Sequence, residues 1–492
     1  MNKVTTYPAG SPTTDIGTGG LRLARYGYYL RAAASAVKIL SAAIRHGEPR
    51  MIIPPNRDFG NVVDRGDQQQ RKAAGAGEIS NALQQARRER RPVVTAAAAH
   101  SCAGQTLSRG GGTRLFLQPA VNAEAVWLDD ERLEVPATWR WQLVEDEANS
   151  KGRTFPVLTD NLDTRVGGTL SVSGIGTRSV SFGRQVDWVD SLRLILPDGR
   201  IEQCSTDTHP ELFASALAGL GQIGVIDTVV LKTLPLRQWT ASLVYQVASL
   251  SDAARVISSE LDWGGHFPTH LEVVGPQIGS RYIHLRLGWE ADSKAAAATL
   301  LQAVRRQPLP IAAELLRSKV MSSHGFGQVN IRHVQSYIAS LKSAAHLWND
   351  WFFPDPAGYR HFVDWCEQTL LPTLGTRDLV AGFMLRLATH PERPHLPLSY
   401  ARNQAGHVDQ IGLYYSVSLR EAGRVDAVKQ GLTRAQAMAR ECGGRLYLYG
   451  WQQWSKADWQ AEFGQDYEAV LALKRRLDPD FLLNPDTLQG SP

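Results

Sequence analysis

The sequence predicts an α+β fold. Between residues 236 and 445, apolar runs of strand length alternate with longer helical stretches, which is typical of helices packed on an antiparallel sheet. Between residues 92 and 235, shorter apolar runs are separated by Gly-rich turns, which indicates several short strands joined by loops. The 492 residues include 43% apolar and 21% charged side chains, a globular composition that excludes a disordered or collagen-like chain.

The first 50 residues are the least regular part of the sequence. Residues 1–20 are rich in Gly, Pro, Ser and Thr and lack the apolar core of a signal peptide. Residues 21–47 predict an Ala-rich helix with five Lys and Arg residues and no acidic residue. This helix either contacts a membrane surface or a partner protein, or packs on the body of the protein with its basic side in solvent.

Charge and cysteine content exclude several classes of function. The net charge of +5 is small for this length and the basic residues are dispersed, so we expect no nucleic-acid partner. The four cysteines are far apart and form no CxxC pair, so we expect neither a metal site nor a disulfide framework. No apolar run reaches about 18 residues, so we expect no transmembrane helix and a cytoplasmic protein.

The region before residue 236 carries clear turn and helix signals. Residues 78–91 predict a helix, and the apolar run after it predicts a short strand that ends before His100. Pro197-Asp198-Gly199 separates two apolar runs and predicts a hairpin. Thr208 to Glu211 predicts a capping box, which begins a helix with a proline in its first turn.

Gly219, Gly221 and Gly224 match the GxGxxG pattern of dinucleotide-binding loops. That pattern requires a strand before the glycines and a helix that starts among them, because the phosphate binds at the helix N-terminus. Here a helix precedes the glycines and a strand follows them. We therefore reject the Rossmann interpretation and expect the glycines to end the helix and to allow close approach of the backbone.

Short blocks of small and polar residues follow one another in a fixed order along the chain. They are His100-Ser101 with Gly104-Gln105, Thr159-Asp160, Gly167 to Ser171, Glu211 to Phe213, Gly219 to Ile226, Tyr447 to Tyr449 and Leu482 to Pro485. In this order the blocks resemble the vanillyl-alcohol-oxidase superfamily of PCMH-type FAD-linked oxidases, and within it cytokinin dehydrogenase.

The resemblance implies a PCMH-type FAD-binding domain that is split in sequence around an antiparallel-sheet substrate domain, the cap. We therefore predict an N-terminal tail and basic helix at residues 1–50. The first part of the FAD-binding domain is predicted at 51–235, the cap at 236–445 and the C-terminal return of the FAD-binding domain at 446–492.

The resemblance also implies FAD as cofactor, held covalently through His100. Backbone N–H groups of small residues suit a pyrophosphate, because they approach it closely. A hydrogen-bonded structural histidine is the alternative interpretation of His100. The expected cofactor-binding residues are His100, Ser101, Gln105, Gly167, Gly168, Thr169, Ser171, Gly174, Gly224, Val225, Ile226, Tyr449 and Asn484.

Two departures from the family pattern concern the flavin. The family has Arg-Gly-x-Gly before the His-Ser pair, whereas this chain has four alanines at 96–99. Alanine disfavours positive φ, so we expect this loop to use ordinary backbone angles, or phosphate binding to be altered. Some relatives carry a second flavin bond from a cysteine. No cysteine lies between Cys102 and Cys204, so we predict no such bond.

The substrate side has one carboxylate candidate and several aromatic ones. Asp160 matches the aspartate of the cytokinin-dehydrogenase Thr-Asp block, and a carboxylate there can accept the proton of the oxidised amine. A surface carboxylate, or Asp163 in its place, is the alternative. Trp351 and Phe353 are expected to form aromatic walls for a planar substrate, or else to pack in the core. Glu272 matches a family segment only loosely.

The function implied by the resemblance is oxidation of a secondary amine on an adenine-like ring, with oxygen or a quinone as electron acceptor. A second hypothesis keeps FAD but assigns an alcohol, sugar, lactone or specialised-metabolite substrate, because the cap is the least similar region. A third is a flavin-fold protein without turnover that serves as a binding or membrane-docked scaffold.

Overall fold

The computed structural model describes residues 56–108, 111–259, 263–277, 281–323, 344–401 and 406–488. The predicted helix at 21–47 lies outside these residues. No helix in the described ranges is long and apolar enough to cross a membrane. The mixture of helices and antiparallel sheets confirms the α+β class.

A small parallel sheet lies at the start of the described chain. Its strands are β1 (Gln69–Ala74), β2 (Val93–Ala96) and β3 (Thr113–Gln118), in the order β1-β3-β2. Helix α1 (Gly75–Glu89), predicted at 78–91, buries Ile79 and Leu83 against this sheet. Strand β2 ends four residues before His100, so the loop that carries the histidine leaves the sheet at its carboxyl end.

A five-stranded antiparallel sheet with order β4-β5-β9-β7-β8 follows. Its strands are β4 (Val126–Trp127), β5 (Arg132–Pro136), β7 (Val189–Ile195), β8 (Ile201–Ser205) and β9 (Val225–Lys232), and β6 (Arg153–Thr154) pairs separately with β10 (Leu234–Pro235). The helices of this region are α2 (Trp141–Ser150), α3 (Val166–Leu170), α4 (Ser179–Phe182) and α5 (Pro210–Ala216), with a 3-10 turn at Gln185–Trp188. An apolar core joins the sheet to α2, α3 and α5.

Of the two local predictions before residue 236, the hairpin and the capping box, the structure confirms only the first. The hairpin is confirmed: Ile195 pairs with Ile201 across the predicted turn, and Gly199 has φ of 86°. The capping box is wrong, because α5 begins after His209 with no side-chain cap. Thr208 instead belongs to the turn that closes β8, where its carbonyl accepts a hydrogen bond from the Ser205 N–H.

The largest element is an eight-stranded antiparallel sheet with order β14-β11-β13-β12-β16-β17-β15-β18. Its strands are β11 (Trp239–Val247), β12 (His270–Gln277), β13 (Ile283–Ala291), β14 (Ala313–Ser322), β15 (Ala344–Phe353), β16 (Leu379–Thr389), β17 (Gly406–Ser418) and β18 (Arg445–Leu446). The helices that follow its strands in sequence are α6 (Leu250–Ile257), α7 (Lys294–Val304), α8 (Pro356–Trp365), α9 (Leu371–Leu374) and α10 (Ala422–Glu441). The chain ends with α11 (Lys456–Phe463) and α12 (Gln465–Leu477).

The two faces of this sheet have different surroundings, because successive side chains of a strand point to opposite sides. On one face, Leu347 and Trp351 of β15 pack with residues of α6, α8 and α10 in the largest apolar core. We call this the helix face. The other face carries Trp348 and Asp350 of β15, and we call it the cavity face. Directly paired residues of antiparallel strands share a face, so Gly412 and Tyr414 of β17 lie there too.

Candidate active site

A cavity with a volume of about 280 Å³ lies between the cavity face and the loops that follow β2 and precede α3. It collects fourteen of the residues that the sequence singled out, from segments more than 300 residues apart. They are His100, Ser101, Gln105, Asp160, Gly167, Gly168, Thr169, Ser171, Gly224, Val225, Ile226, Glu272, Tyr449 and Asn484.

Three expected site residues lie elsewhere. Gly174 packs behind the cavity wall, where a β-carbon would meet the Gln185 side-chain oxygen at 2.1 Å. Trp351 and Phe353 are fully buried on the helix face, and the Trp351 indole donates to Gln436 at 2.9 Å. The expectation that these two aromatics form the substrate wall is corrected by the strand alternation, which brings Trp348 to the cavity instead.

The loop after β2 presents free backbone donors to the cavity. No acceptor in the described ranges takes a hydrogen bond from the backbone N–H groups of residues 97–101. Backbone N–H groups that line a cavity can donate to a bound anion, so this row of donors fits an anionic group such as a pyrophosphate. The expectation of ordinary backbone angles is wrong at Ala99, which has φ of 55°. This loop therefore takes up a left-handed conformation without glycine.

The glycine motif and the C-terminal segment complete this wall. As predicted, helix α5 precedes Gly219 and strand β9 follows Gly224. The Asn484 amide donates to the Gly221 carbonyl at 2.7 Å and accepts from the Thr95 N–H at 2.9 Å, so one side chain ties three segments together. Asn484 and Leu220 both have positive φ, at 45° and 56°. Strained backbone of this kind concentrates at functional sites.

Arg165 is a cavity residue that the sequence reasoning did not single out. Its guanidinium donates to the Thr138 carbonyl at 2.6 Å, and it stands two residues before Gly167. Burial, with a smaller contribution from the nearby Arg140, lowers the pKa of Arg165. An anion beside Arg165 would stabilise its positive charge, which Arg140 repels, so Arg165 also fits a phosphate-bearing cofactor.

His100 lies in the cavity wall as a neutral imidazole. Its Nδ1 is 3.3 Å from the amide nitrogen of Asn161, which can only donate, so the proton of the ring is on Nε2. Burial lowers the pKa of His100 to about 4, and the nearby Asp163 opposes this shift. The Phe59 ring, 5.1 Å from the imidazole between centroids, restricts its orientation. The Nδ1 lone pair is therefore engaged in the hydrogen bond from Asn161.

Asp160 faces a second carboxylate across the cavity. Glu272 projects from β12 on the cavity face and is ion-paired with Arg286, its cross-strand partner. Burial and the negative charge of Glu272 raise the pKa of Asp160 to about 7, although Arg286 opposes them. A carboxyl group with such a pKa can hold or release a proton at neutral pH, which general acid–base chemistry requires.

A polar cluster around Asp350 was missed from the sequence. Asp350 accepts hydrogen bonds from Gln410 at 2.5 Å, from Tyr449 at 3.0 Å and from Tyr414 at 3.2 Å, and burial raises its pKa to about 7. Gly412 makes room for it, since a β-carbon there would lie 2.1 Å from Asp350 Oδ1. The available signal was an aspartate that, with Asn349, interrupts a run of aromatic residues from Trp348 to Phe353.

Comparisons with known proteins agree with this geometry. A family model described as an FAD binding domain matches residues 71–205. An uncharacterized oxidoreductase of the fasciation locus of Rhodococcoides fascians is 25% identical over 71% of this chain and 78% of its own. Cytokinin dehydrogenase 1 of Oryza sativa is 24% identical over 89% of this chain and 90% of its own. Cytokinin dehydrogenase 2 of Arabidopsis thaliana is 23% identical over 89% and 92%.

Proposed function

Since the chain belongs to the superfamily of FAD-linked oxidases and is similar to cytokinin dehydrogenases, we propose that it oxidises a secondary amine on an adenine-like ring. The observation that carries this proposal is Asp160, a half-buried carboxyl group that faces the same cavity as the free donors of residues 97–101. One cavity would thus contain both a proton acceptor and the binding site of a redox cofactor.

The cavity residues fit FAD in charge and in shape. The N–H groups of residues 97–101, the cation of Arg165 and the open space beside Gly168 suit its pyrophosphate, since a β-carbon at Gly168 would have only Ala97 within 4 Å. We propose that His100 holds the flavin covalently. A neutral histidine can form a bond to carbon through a ring-nitrogen lone pair, whereas a protonated one cannot, and Nδ1 would exchange its hydrogen bond from Asn161 for that bond.

FAD, when bound, accepts the hydride from the carbon next to the amine. Asp160 in its ionised form accepts the proton from the amine nitrogen, so the C–N bond becomes a C=N bond. Water then adds to the imine carbon, and the products are the free ring amine and an aldehyde. Arg286 holds Glu272 in an ion pair, and the side chains of Gln410, Tyr414 and Tyr449 hold Asp350. We therefore assign the proton to Asp160, the remaining carboxylate among the described residues of the cavity.

One preparation tests the proposal. The purified protein is supplied with FAD, freed of unbound flavin and mixed with N6-isopentenyladenine and either oxygen or a quinone. We expect a yellow protein, an aldehyde product, and yellow colour in the acid-precipitated pellet. A colourless protein would contradict the cofactor assignment. Colour in the supernatant alone would contradict the covalent bond to His100.

A second candidate function follows from the hydroxyl groups of Tyr414 and Tyr449, which lie 2.7 Å apart at the cavity. Such a wall suits hydroxylated substrates, so an alcohol, sugar or lactone is the alternative. Turnover of a sugar or alcohol in the same assay, with none of N6-isopentenyladenine, would favour it.

A further inference from the structure

Residues 58–61 form a buried segment between strand β15 and the His100 loop, which comprises residues 97–105. Asp58 is 1% exposed and accepts a hydrogen bond from the Gly104 N–H at 2.9 Å, which ties the segment to this loop. The match to the FAD binding domain begins only at residue 71, so it does not include the segment. The segment therefore contacts the candidate site without a role that the family match assigns.

Gly60 fits closely between the loop and the strand. Its carbonyl accepts a hydrogen bond from the His346 N–H of β15 at 2.8 Å. A β-carbon at Gly60 would lie 2.9 Å from the His346 carbonyl oxygen and 3.0 Å from the Cys102 carbonyl oxygen. Both distances are shorter than ordinary van der Waals contact, and both oxygen atoms belong to the backbone, which cannot rotate away as a side chain can. The segment therefore sets the distance between the His100 loop and β15.

Phe59 makes the contact between this segment and the imidazole of His100. The Phe59 side chain is 5% exposed, and its ring centroid lies 5.1 Å from that of His100 and 5.1 Å from that of Trp348. At another edge of the imidazole, the Asn161 amide donates to Nδ1 at 3.3 Å. Because protein interiors are closely packed, a ring that is enclosed in this way keeps one orientation. Phe59 is therefore one of the two contacts that hold the imidazole in place.

We propose that Phe59 is a positioning residue for the covalent attachment of FAD, which acts by orienting the imidazole of His100, and that Gly60 holds Phe59 and the His100 loop in register. This inference rests on the proposed function, because it concerns the bond from His100 to the flavin. In that reaction a C–H bond of a methyl group on the flavin ring breaks and a C–N bond to Nδ1 forms. The methyl group and Nε2 each lose a proton, the two electrons reduce the flavin, and oxygen or a quinone then takes up both electrons and both protons.

Orientation affects the rate of this step more than the affinity for FAD. The reacting nitrogen must lie in line with the carbon that it attacks, and a displacement of about 1 Å can slow a reaction about 100-fold. The free N–H groups of residues 97–101 belong to the backbone and do not turn with the imidazole. Loss of the Phe59 ring should therefore slow the attachment and leave the binding of FAD nearly unchanged, whereas loss of a merely structural contact should weaken both.

Time courses of attachment test the proposal. The full chain is produced in a riboflavin-auxotrophic host, mixed with FAD at several concentrations and precipitated with acid at intervals. The flavin absorbance of the redissolved pellet gives the rate, and its dependence on FAD gives a maximal rate and a half-saturating concentration. For Phe59→Leu we expect the maximal rate to fall by about tenfold or more and the half-saturating concentration to change by less than about threefold.

The chain offers a matched control for each of two variants. Phe267→Leu is the control for Phe59→Leu, because Phe267 also stacks on a histidine, His407, at 5.7 Å between centroids, and neither of these two residues lines the cavity. Gly60→Ala is the second variant, and we expect it too to lower the maximal rate by about tenfold or more. Its control is Gly77→Ala, where a β-carbon would have no heavy atom of the described residues within 4 Å. Both controls should attach FAD at the rate of the unaltered protein.

Equal maximal rates of Phe59→Leu and Phe267→Leu would overturn the proposal, and so would a change in the half-saturating concentration alone. If Phe59→Leu does not fold, the comparison of Gly60→Ala with Gly77→Ala decides in the same way. An unaltered protein without covalent flavin would overturn both the bond to His100 and this inference.

The same variants separate this inference from the proposed reaction. Attachment that depends on Phe59, in a protein that does not oxidise N6-isopentenyladenine, would contradict the proposed reaction alone. Oxidation of this amine, together with equal attachment in every variant, would contradict this inference alone.

Discussion

Lys474 is a buried cation outside the cavity whose removal should destabilise the segments that form the cavity wall. The residue is 0% exposed in helix α12, and its Nζ donates to the Gln222 carbonyl at 2.7 Å, to Asp478 at 2.7 Å and to the Leu483 carbonyl at 2.5 Å. Gln222 lies within the glycine motif and Leu483 adjoins Asn484. One ammonium group therefore ties α12 to two segments of the cavity wall.

Replacement of Lys474 by methionine keeps most of the volume and removes the charge and all three hydrogen bonds. Removing one partner of a buried ion pair costs about 3–5 kcal/mol, because the other charge remains buried and unpaired. Asp478 keeps the N–H groups of Leu482 and Leu483 as donors, which offsets part of this cost. The two carbonyl groups lose a donor. We therefore expect the free energy of unfolding to fall by about 4 kcal/mol.

The assay is urea-induced unfolding followed by tryptophan fluorescence. Arg476→Met is the matched control on the same helix: its side chain is 61% exposed and ion-paired with Glu211, so its loss should cost less than about 1 kcal/mol. A Lys474→Met protein that unfolds at the same urea concentration as Arg476→Met would refute the assignment of Lys474 as a buried clamp.

Other predictions concern the cavity itself. Asp160 acts as a base only when it is ionised, so kcat/KM should rise with pH around a pKa of about 7, and Asp160→Asn should abolish this limb of the pH profile. Glu272→Gln removes the negative charge that raises the pKa of Asp160, so the same limb should move to lower pH, and an unchanged profile would contradict the interaction of the two carboxyl groups. Ala99→Gly should increase the free energy of unfolding by about 1 kcal/mol, because glycine tolerates the φ of 55°. The control Ala98→Gly should lower this free energy, and urea titration measures both variants. Equal effects of the two substitutions would contradict the strain at Ala99.

The sequence predicted best those features that are determined by a few neighbouring residues. The α+β class, the hairpin around Gly199, and the order of helix, glycines and strand near Gly221 were all readable from short patterns. The ordered blocks also supplied thirteen of the fourteen expected residues that the fold brings to one cavity, and Glu272 is the other. Local patterns suffice here because a turn or a glycine-rich loop is determined by the backbone preferences of a few neighbouring residues.

The rest depended on strand register, which no single stretch of sequence contains. In the run from Trp348 to Phe353 every residue is buried and aromatic residues fall on both faces of the strand, so alternation gives no sign of which face meets the cavity. Trp351 was chosen where Trp348 is the cavity residue, and Asp350 was missed because its partners Gln410 and Tyr449 lie 60 and 99 residues away. The left-handed Ala99 was missed because tertiary packing overrides the residue preference.

The most direct test of the account is the anaerobic reduction of the bound flavin by N6-isopentenyladenine. The visible absorbance of the flavin is followed after rapid mixing of the yellow protein with this amine, for the unaltered protein and for Asp160→Asn. We predict prompt bleaching in the first and bleaching slowed by about 100-fold or more in the second, with the flavin retained in both. Equal rates of bleaching, or no bleaching of the unaltered protein, would contradict the central claim.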